Sequence, residues 1–193
     1  MKLDILNQSE RKITLVLEGV DCVLMNSLRR IILAEMPVLA VEYIDFFDNS
    51  SGLYDEVLAN RLGLIPLTFP KNKFNMKKDC KCNGKGCSNC QVHISLEAEG
   101  PGMVKSGDLK IDDSSVKVLS PDIPVVELAE GQRVKLEAIA ELGVGGIHSK
   151  WQAGVVGYRN YPIIRTNSSK GSLEPALKVC PRGVFGKKGS GIG

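Results

Sequence analysis

The sequence predicts an α+β fold in which a helix-bearing unit is interrupted by a β-rich insertion. Three observations predict it. Both segments with helical periodicity lie in the first third of the chain. From about residue 68 the pattern becomes one of short strands separated by turn residues. Near the start of that block, four of the six cysteines stand within eleven residues. On pattern alone the join falls near Leu67 and the return near Lys150.

Residues 2–6 and 11–19 read as two strands, with Ile13, Leu15 and Leu17 alternating in the second. The stretch Asp21–Pro37, DCVLMNSLRRIILAEMP, reads as the helix around which the chain is organised. Asp21 is its N-cap, Val20 and Met25 stand at hydrophobic-staple positions, and Pro37 stops it. Leu24, Leu28, Ile31 and Ile32 form an apolar stripe that Cys22, Met25, Leu33 and Met36 widen. So wide an arc calls for two neighbours rather than one.

Residues 38–47 read as a third strand with Leu39, Val41 and Tyr43 on one face. Asp48–Gly52 is a turn cluster, and Tyr54–Leu62 a short helix with Asp55 and Glu56 in its first turn and Gly63 at C′. In the middle block Val92, Ile94, Leu96 and Ala98 alternate with polar residues, the mark of a half-buried strand. Further strands are expected at 102–111, 115–119, 124–128 and 132–142, with Pro101, Pro121 and Pro124 at ends or edges. Residues 143–151, GVGGIHSKW, make a glycine-rich bend, and 153–164 reads as strand again. Residues 166–172 are linker-like, and the tail that follows has no core-forming pattern.

At 193 residues the chain is long enough for one large domain or two small ones. It is 43% hydrophobic and 24% charged, ordinary for a globular protein. A net charge of +3 makes no global electrostatic case for nucleic acid or an anionic membrane. No run approaches a transmembrane span and the N-terminus is no signal peptide, so the expectation is a cytoplasmic protein with reduced or metal-bound cysteines.

Cys80, Cys82, Cys87 and Cys90 give C-x-C-x4-C-x2-C. Close pairs let two thiolates from one turn bind one ion, and two such turns complete a tetrahedron. Gly84 and Gly86 permit the reversal between them. Four thiolates leave no open coordination position, so the expected ion is a structural Zn2+, with an iron–sulfur cluster as the alternative. Lys71, Lys73, Lys77, Lys78, Lys81 and Lys85 surround this loop with little aromatic interleaving, which reads as a solvated charged loop rather than a phosphate-binding one. His93 and His148 lack partners for catalysis, the glycines at 143–146 lack the ending of a phosphate loop, and Cys180 stands alone. Cys22 reads as a small buried residue. Asn26, Arg29 and Arg30 project from the central helix, where arginine suits either solvent or interface ion pairs. No catalytic set emerges.

The segments NSLRRIILAEMPVLAVE at 26–42 and DEVLANRLGLIPL at 55–67 resemble the assembly-subunit family of multisubunit DNA-dependent RNA polymerases. The GLIPL segment and the return VVGYRNYPIIR are most similar to its archaeal branch, the D-type subunits. That branch is the counterpart of the third-largest subunit of eukaryotic polymerase II and of the bacterial alpha N-terminal domain. The four-cysteine loop is similar to the zinc loop of the eukaryotic member, with one more residue in its middle spacer. Glu130-Gly131-Gln132 and the stretch from Gly143 to Trp151 add to a resemblance covering most of residues 1–165.

The resemblance implies an alpha-type dimerisation domain interrupted by a mostly β insert. Its parts would be 1–51 and 151–170, with the insert at 52–150 carrying the metal loop. It implies that the central helix pairs with a smaller homologous L-type subunit through Leu24, Asn26, Leu28, Arg29, Arg30, Ile32 and Leu33. A small N-type subunit and the second-largest subunit would join that heterodimer, and DNA would be reached only through the assembled enzyme. Catalysis, a nucleotidyl transfer, would belong to the two largest subunits. Against the family pattern, residues 171–193 are expected to be a mobile tail, with the ferredoxin-like domain and C-terminal helix missing. An iron–sulfur cluster is then expected only in a full-length form. Two other classes remain to be weighed. A free-standing zinc-ribbon nucleic-acid binder fits poorly with the low charge, and a metalloenzyme fits poorly with the closed four-cysteine set.

Overall fold

The computed structural model describes residues 1–162, 178–179, 181–183, 187–188 and 191–192. They divide into two compact units, Met1–Val20 with Tyr158–Gly193, and Asp21–Gly157. Cys180 and most of the expected tail lie outside the described residues.

In the first unit, β1 (Lys2–Gln8) and β2 (Ile13–Glu18) form an antiparallel hairpin. Leu3 faces Leu17 and Ile5 faces Leu15, and the register shifts between Ile5 and Asn7. Leu3, Ile5, Leu6 and Ile13 are exposed. Among the described residues no third strand joins it, and a two-stranded hairpin by itself is marginal in water. Two short segments, Lys187–Lys188 and Gly191–Ile192, also pair antiparallel.

The second unit opens with helix α1 (Cys22–Ala34). The Asp21 carboxylate accepts from the Leu24 N–H at 2.9 Å, the cap its sequence promised. Strand β3 (Pro37–Asn49), helix α2 (Asp55–Gly63), β4 (Leu67–Thr68), β5 (Gln91–Glu99), β6 (Gly102–Lys105), β7 (Lys110–Ile111), β8 (Lys117–Val118), β9 (Pro124–Leu128) and β10 (Arg133–Val144) follow. A four-stranded antiparallel sheet runs in the order β3-β10-β5-β7, with β4–β8 and β6–β9 as separate pairs. Alternation puts Val92, Ile94 and Leu96 of β5 and Val134, Leu136, Ala138 and Ala140 of β10 on one buried face. Leu58 and Leu62 of α2 and Val125, Val126 and Leu128 of β9 join the same core. Each such leucine contributes about 1.5–3 kcal/mol by leaving water.

Four local expectations are corrected. Tyr43 does not share a face with Leu39 and Val41: it is 52% exposed. Ile139 pairs with Tyr43 and Ala140 with Val41, so Glu42 is an extra residue that switches the faces of the strand, and Ile44 and Phe46 pack on the core instead. Gly63 is the last residue of α2, and Leu64 after it stays right-handed, so no left-handed glycine ends this helix. Residues 102–111 are not one strand, because a single 3-10 turn at Ser106–Asp108 divides them. Residues 153–162 form no strand, and 163–164 lie outside the described residues.

The glycine-rich bend does more than return the chain. A Cβ at Gly143 would lie 2.2 Å from the Trp151 ring, and one at Gly145 would lie 2.1 Å from the Leu33 carbonyl oxygen. The Gly146 N–H donates to Ala34 O at 2.9 Å. The last turn of α1 therefore rests on backbone that only glycine allows to come so close, and one of its orphan carbonyls is satisfied there. Trp151 is buried and donates from Nε1 to Glu141 O at 3.1 Å, while the Lys150 ammonium pairs with Glu42.

Candidate functional site

The four cysteines lie on a loop whose backbone is bent by necessity. A 3-10 turn at Lys77–Asp79 delivers Cys80, and the Asn83 N–H donates to Cys80 O at 3.0 Å. Asn83, Gly84 and Gly86 are all left-handed, with φ of 53°, 78° and 92°, which reverses the chain between the two ligand pairs. The N–H groups of Cys90 and Gln91 both donate to Cys87 O at 2.9 Å, closing the second turn directly before β5. The Asn75 N–H donates to Asn89 O at 2.8 Å and ties the two legs of the loop together.

The result is a compact set of sulfurs. Cys80 to Cys87 and Cys82 to Cys90 are each 3.6 Å apart, Cys87 to Cys90 is 3.8 Å, and all four sulfurs lie within 4.8 Å of one another. A tetrahedral ion with metal–sulfur bonds of about 2.3 Å has edges of roughly 3.8 Å. The spacing fits one ion. A multinuclear cluster would have its thiolates on different irons and so set further apart.

The thiols also show what a cation would supply. Burial opposes ionisation of Cys82, but the Gly86 N–H and the thiols of Cys80, Cys90 and Cys87 hold it down to about 6. Burial pushes Cys90, which is fully enclosed, up to about 12. At Cys80 the Cys82 N–H favours the thiolate, but burial and the thiols of Cys87 and Cys82 outweigh it and raise the value. Four thiolates do not coexist in this space without a positive ion among them. With all four positions filled by cysteine there is no room for substrate, so the centre suits structure and not chemistry.

Two of the six surrounding lysines are engaged internally. Lys73 pairs with Asp113 at 2.5 Å and Lys77 with Glu141 at 2.7 Å. Lys71, Lys78, Lys81 and Lys85 are exposed. His93 and His148 are both exposed, and the His148 Nδ1 accepts from the Lys150 N–H at 3.1 Å, a local turn bond. Sequence reasoning missed Gln91 and Glu141 beside the four-cysteine loop. An acidic residue on the outward phase of β10 gave no sign that a loop folds over it.

The second notable surface is α1. None of its side chains is buried, and Leu24, Leu28 and Ile31, on one face at helical spacing, are 42%, 39% and 44% exposed. Ile32 and Leu33 are half-buried. Arg29 is held by a hydrogen bond from Nη2 to Asn26 Oδ1 at 2.9 Å, and Arg30 is exposed. Cys22, expected inside, is exposed at the start of the helix. A continuous apolar stripe left open on a helix is the usual sign of an interaction surface. No helix among the described residues is long and apolar enough to cross a membrane.

A family model described as the RNA polymerase Rpb3/RpoA insert domain matches residues 43–156. A DNA-directed RNA polymerase subunit Rpo3 of Archaeoglobus fulgidus is 42% identical over 192 residues, 99% of this chain and 73% of the relative. The Rpo3 subunit of Methanosarcina mazei is 43% identical over 96% of this chain and 70% of the relative. That of Pyrococcus furiosus is 46% identical over 88% of this chain and 62% of the relative.

Proposed function

Because the chain belongs to the archaeal Rpo3 family of DNA-directed RNA polymerase subunits, the D-type subunits, we propose that it is a non-catalytic assembly subunit whose helix α1 pairs with a smaller L-type subunit. A subunit of that enzyme assembles with other polymerase subunits. The observation that carries the finer reading is the apolar stripe on α1, which stays exposed among the described residues. Leu24, Leu28, Ile32 and Leu33 form the apolar centre of the contact, and Asn26, Arg29 and Arg30 its polar rim. Exposed apolar side chains on the β1–β2 hairpin support the same picture, since a hairpin so marginal gains from a partner.

In this reading residues 1–51 and 151–170 are the dimerisation part and 52–150 the insert. The edge strand β3 ties the two together, because it follows α1 in the first part and pairs with β10 of the insert. The four-cysteine loop holds one structural Zn2+ through Cys80, Cys82, Cys87 and Cys90, which fixes a loop that has no apolar interior of its own. An N-type subunit and the second-largest subunit then dock on the heterodimer. Catalysis and DNA contact belong to the assembled cytoplasmic enzyme.

Reconstitution tests the role. With L-type and N-type subunits and this chain present, the second-largest subunit is expected to co-migrate as one complex on size exclusion. Leaving this chain out is expected to leave the second-largest subunit on its own. A second-largest subunit that joins the L-type and N-type subunits equally well without the chain contradicts the platform role.

A further inference from the structure

Both legs of the four-cysteine loop end on one carboxylate oxygen. Lys77, three residues before Cys80, donates from Nζ to Glu141 Oε1 at 2.7 Å. Gln91, directly after Cys90, donates from Nε2 to the same oxygen at 2.6 Å. Glu141 lies opposite Gln91 in the β5–β10 register and is only 6% exposed. Its neighbours Ala138 and Ala140 point into the core, so its side chain stands on the other face of the sheet, beneath the loop.

Gln91 reaches the loop in two further ways. Its N–H donates to Cys87 O at 2.9 Å. Its Oε1 fills the space beside Gly86, where a Cβ would lie 1.9 Å from it. The turn between the ligand pairs is therefore braced against the side chain that Glu141 holds. On the other leg, the Lys77 ammonium also sits 5.0 Å from the centre of the Tyr43 ring, and its hydrogen bond with Glu141 raises its pKa and keeps it charged. A buried carboxylate with one cationic and one neutral donor is a strong, fixed anchor.

We propose that Glu141, acting through Gln91 and Lys77, is a positioning residue of the metal centre that holds the loop closed around the ion and sets how fast the ion leaves. The proposal rests on the metal reading above. Metal release from a closed tetrahedral site needs one thiolate to detach and the loop to open before that thiolate rebinds. Pinning both legs to one point disfavours the opening. Outer partners that orient ligands in this way typically change metal affinity by about 10–100-fold.

The test uses the full zinc-loaded chain. Zinc per chain is first counted by elemental analysis, and release to excess 4-(2-pyridylazo)resorcinol is then followed by stopped flow. Glu141→Gln is expected to keep one zinc but to release it about 10–100-fold faster. Gln91→Ala, at the edge of the loop, is expected to accelerate release as well and to remain folded should Glu141→Gln not. The double variant is expected to be no faster than Glu141→Gln alone, because the two residues share one network. Ser106→Ala removes a buried hydroxyl that bonds Ser120 O and the Ile123 N–H in another part of the unit, and serves as the control for simple loss of stability. It is expected to release zinc at the wild-type rate. Wild-type rates in both Glu141→Gln and Gln91→Ala, or equal acceleration by Ser106→Ala, would overturn the proposal. A wild-type chain that binds no metal would instead overturn the metal reading beneath it.

Discussion

Leu28→Asp is expected to abolish pairing with an L-type subunit while leaving the chain itself folded. Leu28 is 39% exposed and no side chain of α1 is buried, so in the free chain an aspartate there stays hydrated. Surface substitutions of this kind usually fall within about 0.5 kcal/mol, a melting shift of roughly 1–2 °C in a chain this long. At the centre of a heterodimer the balance reverses. The lost leucine burial removes about 1.5–3 kcal/mol, and an unpaired carboxylate in the contact adds several more. Together these weaken pairing by about three decades or more, since each factor of ten is about 1.4 kcal/mol. Co-elution with the L-type subunit reads the pairing, and a thermal melt by circular dichroism reads the fold. A Leu28→Asp chain that still pairs would show that the stripe is not the contact. A chain that unfolds would place α1 in the core. Leu33 is a poorer probe, because its carbonyl lies against Gly145 and its side chain is half-buried, so Leu33→Asp is expected to harm the fold as well.

Cys82→Ser is expected to empty the metal centre without unfolding the β core. Structural zinc contributes about 10–16 kcal/mol of apparent binding free energy at neutral pH in small zinc domains. One thiolate of four carries roughly a quarter of that, about 2.5–4 kcal/mol, or two to three decades of affinity. Zinc per chain after dialysis against a weak chelator is expected to fall from about one to near zero. Hydrogen exchange is expected to become fast across 80–90, where left-handed turns and exposed side chains leave little else to hold the loop. The amides of β5 and β10 are expected to stay protected, because the cluster of Leu58, Ile94, Leu96 and Leu136 contains none of the four cysteines. Cys82 suits this test better than Cys90, whose full burial would leave a serine hydroxyl without a partner. Iron with a visible chromophore in the wild-type chain, or unchanged zinc in Cys82→Ser, would contradict the assignment.

The sequence carried the parts of this fold that depend on local pattern. Alternation in Val92, Ile94 and Leu96 gave β5 and its buried face, Asp21 gave the start of α1, and the cysteine spacing gave the cluster of four sulfurs. It failed where a single residue changes phase or where contact is distant in sequence. The extra residue Glu42 in β3 turns Tyr43 outward, and no periodicity announces it because each half of the strand alternates correctly. Residues 153–162 have strand-like composition, but a strand exists only where a neighbour takes its hydrogen bonds, and none does there among the described residues. The glycines at 143, 145 and 146 read as a bend that returns the chain, yet each is small because Trp151 or the end of α1 comes close. Nothing in the sequence singled out Glu141, and its burial depends on a loop fifty residues earlier, at Gln91. The width of the α1 stripe suggested two neighbours, and among the described residues that stripe stays exposed.

The central claim is that α1 is a pairing surface, and the mass of the chain in solution tests it most directly. Co-expressed with an L-type subunit and measured by multi-angle light scattering, the chain is expected to run as a single species with the summed mass of one copy of each. A monodisperse monomer of 20.9 kDa, unchanged by the presence of the L-type partner, would contradict it.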